Sequence, residues 1–542
     1  MRSGQSRGSG RFGAGVVPVA VPMAVMLTIG LWGLDRGGMW GDESVTFQVA
    51  QRTVPQIWRL LHDVDAVHGL YYLFMHAVLT VHPSEVVLRL PSVCAATATA
   101  GLVAALGVRL AGPRVGLWAG ALYAITPMTG HYAQEGRSYA LVAAGVAGST
   151  LLLLRAVDGP GARVWWPYGT VVVLTCALHE LAVPVLGAHA VTLALLRAPR
   201  RVWSGWGRAA GAVALLLLPL VWVSQGQSGQ VAWLVPPGWD RVERLARNFS
   251  PGPAGPVFWG ALLLMAVGLR ERRTAAVALP LLLVPPGILM AVSQVRPLYH
   301  DRYVLYALAG ASLLVAAGAG RVARALGRVR FDGRRMRVGG RRVHALLGVA
   351  GVLTLVATFL SQVPVHRQDR AAAHRPDNLA VVSALAVRQM RPGDPVLFLP
   401  SVGRLAALAY PKGFQRARDI ALRESAPRSG TLWGREATPG ELRRRLATVD
   451  RVWVVSEAYA VDPRWSPADP VERTKRAVLK EEFTVREEHA RGGVVLRLHV
   501  RRQPADEPAG VPAGVPPGAA TTARLPASRP AAPRALPRPA RW

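Results

Sequence analysis

Leu70–Val81 reads LYYLFMHAVLTV, an apolar run of a length that leaves its class open: counted as a membrane span, it reverses the side of every later loop. Runs of ~10 to 14 apolar residues are more often interfacial or re-entrant than spanning. Charge decides the matter. With this run left out, Arg109 and Arg114, Arg155 and Arg163, the RAPRR of 197–201 with Arg208, the RERR of 270–273 and the nine arginines of Arg321–Arg342 all fall on the side of the N-terminal tail, which holds Arg2, Arg7 and Arg11. Cytoplasmic loops carry such an excess of Lys and Arg, so the N-terminus is expected to be cytoplasmic.

Outward from this run the chain has the pattern of a polytopic α-helical membrane protein. Of its 542 residues, 51% are hydrophobic, and long apolar stretches recur through the first two thirds. Spans are expected near 16–34, 86–107, 115–130, 138–155, 165–179, 181–197, 209–225, 256–270, 274–293, 303–320 and 344–362, about eleven in all. An odd number places residues after Gln362 outside, together with the first outer loop, 35–85. The basic tail 1–15 and a membrane domain 16–362 are then followed by an extracytoplasmic α/β domain, 363–502, in which strand patterns such as DPVLFLP and DRVWVVSE alternate with helix patterns such as NLAVVSALAVRQM and TPGELRRRLATV. Residues 503–542, rich in Pro, Ala and Arg, are expected to be a disordered tail.

The net charge of +32 could suggest a nucleic acid partner, but the arginines sit in short segments between apolar runs, and no basic stripe is interleaved with aromatics, so none is expected. Cys94 and Cys176 both lie in apolar runs, which speaks against a disulfide framework or a cysteine metal site.

On this topology five segments bring ionisable groups to one membrane face. They are the GDE of Asp42 and Glu43; His68 with Tyr71 and Tyr72; HYAQEGRSY with Gln134, Glu135, Arg137 and Tyr139; His179 with Glu180; and RPLYHDRY with Arg296, His300, Asp301, Arg302 and Tyr303. Charges against an apolar layer are costly, and clusters at span ends commonly mark a site. Arginines suit phosphate oxygens through a planar fork of donors, and a carboxylate can take a proton.

In the same order, WGDESVTFQVAQ, HGLYYLFMHAVLTVHPSEVVLRLPS, YAQEGRSYAL and RPLYHDRYVLYALAG resemble the blocks of GT-C fold glycosyltransferases that use polyprenyl-phosphate sugars, the bacterial relatives of protein O-mannosyltransferases and of the lipid A aminoarabinose transferase. The resemblance spans roughly residues 16–362. It implies transfer of a sugar, mannose first and arabinose next, from a polyprenyl-phosphate donor to an acceptor hydroxyl on a protein, lipid or glycan, at the outer face of the bilayer and with inversion. Asp42 would be the general base and Glu43 its support, and both are taken as catalytic. Arg137, Arg302 and Tyr303 would bind the donor phosphate, and Gln134, Glu135, Tyr139, His68 and Tyr71 would complete the site. Some relatives hold a divalent metal, for which Glu135 and His179 are the candidate ligands. The chain departs from the pattern where His68 is followed by Gly69 rather than proline, and HELAVP at 179–184 follows it loosely. Other readings are a transporter or flippase for a lipid-linked or anionic substrate, and an oligosaccharide ligase or polymerase.

Overall fold

A computed structural model describes residues 9–159, 161–231, 233–252, 255–326, 340–371, 379–491 and 493–502. The expected tail 503–542 and much of the arginine-rich segment 321–342 lie outside them. In chain order the helices are α1 (Ser9–Leu31), α2 (Gly41–Ala50), α3 (Val54–Asp63), α4 (Gly69–Leu79), α5 (Glu85–Ala111), α6 (Pro113–Ile125), α7 (Pro127–Ala133), α8 (Tyr139–Asp158), α9 (Trp165–Leu178), α10 (Pro184–Leu195), α11 (Arg200–Gly226), α12 (Trp239–Asn248), α13 (Gly255–Gly268), α14 (Arg272–Val292), α15 (Leu308–Leu326) and α16 (Gly340–Asp369). A 3-10 turn, Asp301–Ala307, leads into α15. Among the described residues, six helical segments are long and apolar enough to cross a membrane: α5, α8, α11, α14, Asp301–Leu326 and Ala345–Asp369. The protein is a multi-pass membrane protein.

Each expected span meets a helix, with one correction. The run 115–130 is two helices, because Thr126 precedes Pro127 and is held extended (φ −64°, ψ 128°), as the proline ring requires of the residue before it. The short α7 turns the chain toward the site. Small residues set the closest helix contacts: a Cβ on Gly268 of α13 would lie 2.2 Å from the Leu314 carbonyl of α15, and one on Gly318 would lie 1.9 Å from that of Leu264, so only glycine permits this approach.

The ambiguous run forms α4. Its buried Tyr71, Tyr72, Met75 and Leu79 share a core with Val45 and Val49 of α2 and with Val396, Phe398 and Trp453 of the C-terminal region, separate from the core of the long helices. It thus belongs to a layer of short helices, α2 to α4, between the bundle and the α/β region.

That region contains α17 (Leu379–Gln389), β1 (Pro395–Leu399), α18 (Leu405–Ala409), β2 (Arg418–Asp419), β3 (Leu422–Glu424), α19 (Ala426–Ser429), β4 (Arg435–Glu436), α20 (Pro439–Ala447), β5 (Arg451–Glu457), α21 (Pro470–Glu482), β6 (Phe483–Arg491) and β7 (Val494–Arg501). The main sheet runs β2-β1-β5-β7-β6. β1 pairs in parallel with β2 and β5, Phe398 opposite Val455, whereas β7 joins β5 antiparallel and β6 joins β7 antiparallel. Alternation along the strands divides two cores. Val396, Phe398, Trp453 and Val455 face α17, α18 and the short-helix layer, and Leu397, Leu399, Val452 and Val454 face α20 and α21. Helices on both faces bury the central strands β1 and β5, which is why these two read as continuous apolar runs.

Candidate active site

The two carboxylates at the start of α2 have opposite surroundings. Adjacent residues on a helix point about 100° apart, and here Glu43 turns inward while Asp42 turns to the open side. Arg89 of α5 grips Glu43 with both prongs, Nε to Oε1 at 2.8 Å and Nη2 to Oε2 at 2.9 Å, and both side chains are fully buried. The Gly136 amide donates to Glu43 Oε1 at 2.9 Å. The other Arg89 protons reach the carbonyls of Leu34, Arg36, Gly37 and Gly38 at 3.1 to 3.4 Å. Gly37, at φ +73°, makes the turn that lets those carbonyls converge. Glu43 and Arg89 therefore tie the first loop, α5 and the 134–138 turn into one unit. Sequence reading left Arg89 unassigned; its signal was an arginine inside an apolar helix, which requires a partner.

Asp42 is one-third exposed, and its Oδ2 lies 3.1 Å from Nη1 of Arg302, which is 12% exposed. The Arg302 guanidinium sits among three rings, Trp40 and Tyr139 each at 5.6 Å and Tyr303 at 5.5 Å, an arrangement that holds a cation by its faces and leaves its edge for an anion. From the other side Arg137, buried, donates through Nη1 to the Asp42 carbonyl (3.4 Å) and Thr46 Oγ1 (3.2 Å) and through Nη2 to His68 Nε2 (2.7 Å). Burial, and next the nearby Arg137 charge, push the His68 imidazole well below its usual pKa, which leaves it neutral and able to accept. The Nε atoms of Arg137 and Arg302 are buried without a partner.

The other expected residues divide. His179 joins the aromatic set, its ring 4.9 Å from Tyr303, 5.6 Å from Tyr139 and 5.9 Å from His68. Glu180 stands apart, accepting from Ser224 Oγ at 2.8 Å. Gln134 is used elsewhere, since its Nε2 donates to the carbonyls of Gly30 and Trp32, both at 2.8 Å, at the end of α1. Tyr71 is fully buried, with Phe74 its ring neighbour at 6.4 Å, and Tyr72 donates to Asp65 Oδ2 at 2.6 Å. Burial raises the carboxyls of both Asp65 and Glu135 above their usual range. Glu135 faces His131 (3.9 Å), whose other nitrogen lies 3.6 Å from Asp369 of α16. Glu135 and His179 thus keep different company and form no ligand set; among the described residues no group of three or more His, Cys, Asp and Glu side chains is placed to hold a metal ion. These residues do not fit a metal site.

The α/β region reaches this loop directly. Tyr410 accepts from the Met39 amide at 2.6 Å and donates to Glu85, which lies 4.0 Å from Arg89. At the far end of α2, Gln48 donates to the Leu432 carbonyl (3.0 Å) and Arg52 to that of Thr431 (2.9 Å).

No protein-family model matches the chain, and no curated protein matches it in sequence. Among solved structures, it is similar to ArnT from Cupriavidus metallidurans in the apo state, with a TM-score of 0.55 and 12% identity over 90% of this chain and 98% of that one. It is also similar to the same protein bound to undecaprenyl phosphate, with a TM-score of 0.51 and 11% identity over 91% of this chain and 98% of that one. The chain therefore has the fold of these membrane proteins, the GT-C fold that its four sequence blocks predict.

Proposed function

We propose that this protein is a membrane glycosyltransferase that moves a sugar, mannose first among candidates, from a polyprenyl-phosphate donor to an acceptor hydroxyl, with inversion at the anomeric carbon. The observation that carries the reading is the half-open carboxylate of Asp42 set between two buried guanidiniums, Arg302 against its side chain and Arg137 against its backbone. A structure of the same fold holds undecaprenyl phosphate, which supports a lipid phosphate as the anion.

In this reading the donor phosphate, a monoanionic diester, engages Arg302 and Arg137, whose unpartnered Nε atoms supply further donors. Arg302 is shared between Asp42 and phosphate, so donor binding loosens its hold on the Asp42 carboxylate. That carboxylate then accepts the acceptor's hydroxyl proton as the acceptor oxygen bonds to C1. The C1–O bond to phosphate breaks, its electron pair leaves with the phosphate, and the second negative charge that develops there is met by the two arginines. Glu43 acts through Arg89 as a positioning residue, fixing the N-terminus of α2. Residues 16–362 form the catalytic membrane part and 363–502 an extracytoplasmic domain, with the site on the outer side.

The test is transfer of radiolabel from polyprenyl-phosphate mannose to membrane acceptors by native protein, with Asp42→Asn beside it. Label transfer that depends on Asp42 is expected. Transfer that survives the substitution at a tenth of the native rate or more, with normal expression, would remove Asp42 as base.

A further inference from the structure

Beside the arginine pair lies a cavity of about 100 Å³, walled by Met128, Tyr132 and His131 from α7, Asn248 from α12, Asp301 from the turn before α15, and Asp369 from α16. Its walls are mostly apolar, yet two carboxylates and the side chain of Arg247 line it. Asp369 is accounted for by His131, at 3.6 Å. Asp301 is not. It is 2% exposed, its Oδ2 takes a long bond from Asn248 Nδ2 (3.3 Å), and its Oδ1 is buried with no hydrogen bond at normal distance, although the Tyr299 hydroxyl and the Arg241 and Arg244 charges lie near it. A buried oxygen left so is costly unless something supplies a proton donor. An apolar cavity with a few convergent polar groups is the usual form of a small-ligand site.

We infer that this cavity receives the sugar ring of the donor, with Asp301 accepting from its hydroxyls and Tyr132 and Met128 packing on its apolar face. The placement follows from connectivity: Asp301 immediately precedes Arg302, and a sugar joined through C1 to a phosphate held by Arg302 lies within a ring's breadth of it. Tyr132 adjoins the same cage, its ring 5.6 Å from that of Tyr139. Hydroxyl groups are donors that carboxylate oxygens, acceptors only, match. This inference rests on the lipid-phosphate reading above and adds to it the residues that would read the sugar.

The experiment measures binding to purified full-length protein in nanodiscs of three probes: undecaprenyl phosphate and its mannosyl and arabinosyl forms. Asp301→Asn should weaken the better-bound glycosyl form at least tenfold and change undecaprenyl phosphate itself less than twofold. Met128→Trp, which fills the cavity without touching a charge, should do the same and decides the matter where Asp301→Asn does not fold. Equal shifts for the bare and glycosyl lipids, or no shift in either, would overturn the sugar cavity alone. A rise in acceptor KM with donor binding intact would assign the cavity to the acceptor and also overturn it. Native protein that binds none of the three probes would overturn the lipid-phosphate reading itself, and this inference with it.

Discussion

Two buried charge networks in this molecule are built from the same residue types and finished differently. In the α/β region, Arg404 bonds Asp419 and Glu436, each at 2.6 Å, and the Trp433 carbonyl at 3.0 Å; Lys475 bonds Glu436 (2.7 Å), Glu472 (3.1 Å) and the Phe398 carbonyl (2.9 Å); and Glu472 takes the Ser401 amide at 2.7 Å. Each of these charges is satisfied by the others. At the head of α2, by contrast, Arg137 Nε, Arg302 Nε, Glu135 Oε1, Asp301 Oδ1 and His68 Nδ1 are all buried without partners. A closed network makes the fold specific, and an open one in low dielectric costs stability until a ligand completes it. The position of the open network is therefore better guidance to function than the density of charge, which is as high in the closed one.

The largest effect is expected in the closed network. Lys475→Met leaves the buried Glu472 without its cation and Glu436 with Arg404 alone, and should destabilise the α/β region by about 3 to 5 kcal/mol, read by urea or thermal unfolding, with donor binding per folded molecule unchanged. A loss of donor binding larger than the loss of folded protein would show that the two networks are not separable. Next, Asp42→Asn should lower turnover by about 100-fold, near 3 kcal/mol of barrier, with little change in melting temperature, since the side chain is half open and holds one ion pair. A melting shift as large as that of Lys475→Met would class Asp42 with the closed network. Arg302→Lys keeps the charge and loses the two-pronged geometry, so the donor KM should rise about tenfold, roughly 1.4 kcal/mol; an unchanged KM would end its phosphate role. Smallest is Tyr410→Phe, which removes one hydroxyl bonded to Met39 and Glu85. It should cost about 1 kcal/mol, seen as a few-fold drop in kcat with donor KM constant, and a change in KM alone would disconnect Tyr410 from the loop.

Much of the fold could be read before any coordinates, because apolar run length and arginine placement are strong signals when the solvent is a bilayer. Asp42, Tyr139 and Tyr303, drawn from three distant segments, do meet around the Arg302 guanidinium, with Arg137 against the Asp42 backbone, and the residue types alone suggested such a gathering. What could not be read was the company each charge keeps. Glu43 and Asp42 are neighbours in sequence, and only the helix start at Trp40 and the position of Arg89, 46 residues away, decide which is buried. Gln134 and Glu135 sit in the same block as Arg137 yet turn to α1 and His131. The β6–β7 hairpin escaped notice for a different reason: its first strand, FTVREEHAR, is an edge strand with a shift of register between Val485 and Glu487, and its glutamates imitate a solvated helix.

The bonds from Met39 to Tyr410, Gln48 to Leu432 and Arg52 to Thr431 bridge sequence separations of 371, 384 and 379 residues. In the order of synthesis, α2 leaves the ribosome long before the residues that fix both its ends. At ~5 to 20 residues per second the interval is roughly 20 to 75 s. During that time the loop with its acid and its arginines is in the membrane but lacks its last braces, so a nascent or truncated chain carries these charged groups without the bonds that fix both ends of α2. Completion of the chain is in this sense an assembly checkpoint, and a shortened form ending before Tyr410 would be made and inserted with that alignment missing.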